Sequence, residues 1–140
     1  MTGRPRPIPA ALHPQQQSRA ALDSAGLDDP FNLAYYAHEI SHSWWGNLIT
    51  VRGQAGVYML SEAMAQYGSL RAVEELEGVA SAERYRRTGY PGYNTEQNAL
   101  GYFKLAAAGL DTSAMRDLPP GTLSHDIADM KGFLVWDMLS

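Results

Sequence analysis

The chain has 140 residues, 45% of them hydrophobic and 19% charged, the balance of a folded domain and not of a disordered chain; its length allows at most one ordinary domain with its own core. A formal charge of −4 without any Lys/Arg block argues against nucleic acid as a partner. Zero cysteines exclude disulfides and thiolate ligands, so a metal would have to be held by His and carboxylate, while the compartment stays open.

Residues 1–27 read as an irregular leader, because Pro5, Pro7, Pro9 and Pro14 interrupt any period and Gln15-Gln16-Gln17 adds no core face. It has no signal-peptide core, and no apolar run in the chain is long enough to span a bilayer, so the chain reads as soluble. Asp28-Asp29-Pro30 offers an acidic cap and then Pro at a first helical position, which predicts a helix from about 30 to 45 that stops at Gly46. Leu33, Ala37, Ile40 and Trp44 make one apolar stripe of it, with Tyr35, His38, His42 and Trp45 on the other face; apolarity nearly all round predicts a buried helix.

Residues 47–59 lack helical period and read as a looped or extended connection. A second helix fits 60–77, with Leu60, Ala63, Met64, Tyr67, Leu70 and Val73 on one stripe and Gly78 as its stop. Ser81 is a candidate cap for a short helix whose Arg84, Arg86 and Arg87 read as a solvated face. Gly89 to Asn98 reads as a loop, followed by a helical stretch to Gly109, a loop containing Pro119-Pro120-Gly121, and a last helix from near Asp126 to Ser140. That helix ends on the apolar run from Phe133 to Leu139 with no stop signal, the expectation for a piece of a longer protein.

The chemistry concentrates in His38-Glu39-Ile40-Ser41-His42, an HExxH pentad. Residues four apart on a helix lie on one face, so the two imidazoles converge. Two neutral imidazoles and a carboxylate suit tetrahedral zinc with a position left for water, and Glu39 lies where a carboxylate can take a proton from that water. At this composition a chance pentad arises in roughly one such chain in 200, which weighs against two ordinary core histidines. His13 and His125 stand apart from any ligand spacing, and Trp44 and Trp45 read as core or pocket wall.

Ala37 to Thr50, AHEISHSWWGNLIT, with MLSEAMAQY at 59–67, closely resembles the membrane alanyl aminopeptidase family, zinc metallopeptidases that include aminopeptidase N and the leukotriene A hydrolases. Nineteen residues (43 to 61) separate His42 from Glu62, one more than is usual in that family, and Ser61 in place of Asn precedes the glutamate. Both details look like the bacterial branch fused to ABC-2-type permeases. The resemblance implies a mainly α, thermolysin-like (gluzincin) catalytic domain over 28–140, built from an HExxH helix and a Glu-ligand helix. It implies one zinc per chain on His38, His42 and Glu62, Glu39 as general base and a peptide as substrate; it selects Glu62 over Glu74 or Glu75. The alternative is a zinc-binding, catalytically weak module of a larger membrane transport protein.

Two departures from the family pattern stand out. Its Gly-x-Met-Glu-Asn motif, which grips a free amine, has no counterpart in the leader, so specificity for amino-terminal residues is not supported. The family also sets a tyrosine two residues before a Lys-Gly pair, where its hydroxyl stabilises the oxyanion. Lys131-Gly132 puts Asp129 in that slot, and an ionised carboxylate has no hydrogen to donate. Tyr102, which also precedes a Lys, is the substitute the sequence offers.

Overall fold

The computed structural model describes residues 30–90 and 97–140. The expected leader over 1–27, with His13, and most of the loop expected between Gly89 and Asn98 lie outside them. The described residues are mainly helical, and the β pairing found among them is an isolated bridge between Trp45 and Ile49. In chain order come α1 (Pro30–Ser41), α2 (Val57–Leu60), α3 (Glu62–Glu77), α4 (Val79–Thr88) and α5 (Asn98–Ala107). A 3-10 turn at Met115–Asp117 precedes α6 (Thr122–Ile127), a π-helical turn (Ala128–Gly132) and α7 (Phe133–Leu139), which run on without a break.

Pro30 opens α1, where its fixed φ suits a first helical position. The helix ends at Ser41, earlier than Gly46. Past that point the His42 N–H still reaches the His38 carbonyl at 3.3 Å, but the Trp44 and Trp45 amides both turn back to the Ser41 carbonyl. Gly46 then reverses the chain with φ 97, close against Ser61, a left-handed conformation that favours glycine.

The 60–77 helix is divided at Ser61, whose ψ of −79 offsets α2 from α3. Gly78 closes α3, and α4 starts at Val79 rather than under a Ser81 cap. The last helix begins at Thr122, four residues before the expected start.

α1 lies against α3, fastened where the Ser69 hydroxyl donates to the Ala34 carbonyl at 2.8 Å. Ala34, Leu70, Val73, Ala82, Tyr85 and Phe133 form the core beneath. Burying such side chains contributes roughly 1.5–3 kcal/mol for each large one. The expectation that α1 is buried all round fails: Ile40 is 55% and Trp44 52% exposed. Leu33, at the start of their stripe, is buried with Ala34 and His38, while Ile40 and Trp44 further along it are half in solvent.

One further correction concerns a charged residue near the last helix. Arg86 is not simply solvated: its guanidinium donates to both carboxylate oxygens of Asp137 (2.7 and 3.2 Å), tying α4 to α7. Gly132 packs so tightly on α3 that a methyl group there would meet the Ala63 Cβ at 2.5 Å. That close approach fixes the π-helical turn beside Glu62.

Candidate metal centre

His38, near the end of α1, and His42, one residue past it, bring their Nε2 atoms to 3.1 Å from each other. Glu62, first residue of α3, sets its Oε2 3.6 Å from the His38 Nε2 and 3.3 Å from that of His42. Together the three could hold a metal ion. Glu74, a competitor for the third position in the sequence, is instead paired with Arg71.

Each ring is oriented from behind. His42 Nδ1 lies 3.1 Å from the Trp45 carbonyl, which only accepts, so Nδ1 carries the hydrogen. His38 Nδ1 lies 2.9 Å from Gln66 Oε1. The Gln66 amide is oriented by its other bonds, for its Nε2 donates to Asn98 Oδ1 (2.8 Å) and its Oε1 accepts from the Tyr90 hydroxyl (2.9 Å). Asn98 in turn donates to the Tyr85 carbonyl at 2.7 Å. Gln66 and Asn98 are buried, so every bond of this chain replaces a lost water. With both Nδ1 atoms protonated, two Nε2 lone pairs face one point, an arrangement that repels unless a proton or a cation lies between them.

A third histidine completes the cluster, and the sequence reading missed it. His125, in α6, places Nε2 3.1 Å from Glu62 Oε2 and Nδ1 3.4 Å from Asp129 Oδ2. Its i,i+4 relation to Asp129 is the same spacing that exposes the pentad, and is the signal that could have found it. Glu62, His125 and Asp129 are a second group that could hold a metal ion. Asp129 is carried in by the π-helical turn, a form often found at functional sites, and its Oδ1 is buried with no hydrogen-bond partner among the described residues.

The electrostatics follow from this crowding. Hydrogen bonding to Glu62 raises His125 to about 9, with the Asp129 charge adding to it against the cost of burial. Burial pushes Glu62 up, but the close approach of the His125, His38 and His42 rings outweighs it and holds the carboxyl well below the usual range. Burial lifts Asp129 to about 6 against the opposing charge of His125. His38 is pushed down by burial yet raised on balance by Glu62 and Asp129.

A cleft of about 490 Å³ opens onto these groups, lined by Glu39 and Tyr90 as well as by His38, His42, Glu62, His125 and Asp129. Tyr102 is not among its walls: its hydroxyl donates to Asp111 at 2.9 Å, and Lys131 pairs with the same carboxylate at 2.7 Å. Trp44 is half exposed and not core, while Trp45 contributes its carbonyl to His42. Among the described residues no helix is long and apolar enough to cross a membrane. Compared with known proteins, the chain matches no family model, no curated protein and no solved structure.

Proposed function

We propose that the chain carries a zinc-dependent peptidase centre, with His38, His42 and Glu62 as ligands and Glu39 as general base. The observation that carries this reading is the triangle of two Nε2 atoms and one carboxylate oxygen with edges of 3.1, 3.3 and 3.6 Å. Ligands about 2.05 Å from a tetrahedral zinc are about 3.3 Å apart, so the donor set fits that ion in spacing as well as in chemistry. Two imidazoles and one carboxylate beside an open cleft match a catalytic site, which keeps a position for water, rather than a closed structural one. Zinc bound there supplies Lewis acidity toward a carbonyl and brings the pKa of a water toward neutrality.

The remaining work falls to the chain. As the water oxygen bonds to the peptide carbonyl carbon, Glu39 accepts the water's proton, and it passes that proton to the amine nitrogen as the C–N bond breaks. Gln66 and the Trp45 carbonyl keep the two imidazoles turned toward the metal. The resemblance of AHEISHSWWGNLIT to the alanyl aminopeptidases supports a peptide as the substrate. A second reading, a zinc-holding module with little turnover inside a larger membrane transport protein, draws on Asp129 in the tyrosine slot; the retained Glu39 speaks for turnover.

Elemental analysis of the purified chain should give close to one zinc, lost in His42→Ala. Glu39→Gln should keep the zinc and lose about 10²–10⁴-fold in peptide hydrolysis. Hydrolysis by Glu39→Gln at the wild-type rate would sink the assignment, and zinc without any hydrolysis in the wild type would favour the second reading.

A further inference from the structure

We propose that the cleft holds a second divalent cation, bound by Glu62, His125 and Asp129, with Glu62 as the carboxylate it shares with the zinc. The inference rests on the zinc reading above for its first ion. Donor atoms of Glu62, His125 and Asp129 all lie within 4.8 Å of one another, as do those of His38, His42 and Glu62, and the two triads share Glu62 alone. Glu62 Oε2 stands 3.1 Å from the His125 Nε2 and 3.3 Å from the His42 Nε2. Both are separations of two ligands on one ion, about 3.3 Å around a tetrahedral zinc. One oxygen is thus placed between two candidate ions.

Asp129 carries an independent sign of a cation: its Oδ1 is buried with no hydrogen-bond partner among the described residues. A buried carboxylate oxygen without a donor is costly, and a metal ion satisfies it. Asp129 also stands where the resemblance expects a tyrosine. A carboxylate in that place repels an oxyanion, yet it is a hard ligand for a cation. The charge of the cleft agrees. Glu39, Glu62, Asp126 and Asp129 line it, and among the described residues no lysine or arginine does. One zinc balances two of these four formal charges, and a second divalent ion balances the rest.

The two triads differ in softness. Two imidazoles and a carboxylate suit zinc, whereas one imidazole and two carboxylates make a harder set that also suits manganese. The His125 side chain is 46% exposed, so an ion reaches the second triad from solvent. The competing arrangement is an ion pair of His125 with its two carboxylates and no metal. Two ions about 3.5–4 Å apart form a clamp for both oxygens of a hydrolytic displacement.

The test uses the 140-residue chain loaded with one zinc, and manganese(II) as the probe. Electron paramagnetic resonance separates the sharp signal of the free ion from the broad one of the bound ion. The wild type should bind one manganese(II) per chain and keep its zinc. His125→Ala and Asp129→Asn should lose that equivalent and still hold one zinc; the asparagine keeps the shape of the side chain, so its loss is not a failure to fold. With cobalt(II) in place of diamagnetic zinc, the bound manganese(II) signal should broaden further, because a paramagnetic neighbour sharing Glu62 couples to it. No bound manganese(II) in the wild type, or equally tight binding by either variant, overturns the inference. So does loss of zinc in His125→Ala, which would make the ring a ligand of the first ion, and so does a signal indifferent to cobalt(II), which would place the ions apart. A wild type that takes up no zinc overturns the zinc reading, and the shared pair with it.

Discussion

Gln66→Leu tests whether the buried amide behind His38 holds the site. Leucine is close to glutamine in volume, so little cavity arises and the effect is polar. Gln66 is 1% exposed and makes three bonds: from His38 Nδ1 at 2.9 Å, from the Tyr90 hydroxyl at 2.9 Å, and to Asn98 at 2.8 Å. The substitution takes the bonding atom from all three groups, and a buried polar atom left unsatisfied costs about 1–3 kcal/mol. Tyr90 is only partly buried and can turn to water, so the loss to the metal-free chain should be roughly 3–5 kcal/mol. Removing the acceptor behind a ligating histidine weakens metal binding by about 10–100-fold. Urea unfolding in the presence of chelator reads the first quantity, and competition against a chromophoric chelator reads the second. A variant that unfolds within about 1 kcal/mol of wild type and binds zinc as tightly would refute the view that this polar chain orients His38.

Gly132→Ala should be destabilising by about 1–3 kcal/mol from overpacking, since the new methyl lands 2.5 Å from Ala63 Cβ and 2.9 Å from Met115 Cε. Because Ala63 adjoins Glu62, zinc affinity should fall along with the melting temperature; an unchanged melt would show that the last helix is free to move off α3. Asp111→Asn probes pH dependence. The Lys131 ammonium, hydrogen-bonded to Asp111, holds its carboxyl below the ordinary 3.8. The stabilisation is therefore present above that value and is lost as pH falls through the lower native one. The wild type's advantage over Asp111→Asn should be constant between about pH 5 and 8 and shrink below about pH 4 in chemical denaturation. An advantage that instead grows on acidification would contradict the pairing.

Features set by short-range geometry were legible in the residues themselves. His38 and His42 converge because they are four apart on one helical path, and that needs no tertiary contact. Pro30 as a helix start and Gly78 as a helix stop follow from local dihedral preferences and the lost helix hydrogen bonds at the ends. Tertiary packing decided the rest. The pattern predicts a first helix to about 45 with Gly46 as its stop, but Gly46 closes against Ser61 and the Trp45 carbonyl turns to His42, so the last turn unwinds. Ile40 and Trp44 form an apolar stripe, yet periodicity states only that a face is apolar; the layout of α3 leaves that face half exposed. Gln66 is polar but falls at stripe spacing between Ala63, Leu70 and Val73, so helical period marks it as buried; only the packing of α1 on α3 makes it the partner of His38. The His125–Asp129 spacing could be seen in the chain, but not what it faces: the contact between His125 and Glu62 exists because Gly132 lets the π-helical turn settle against Ala63.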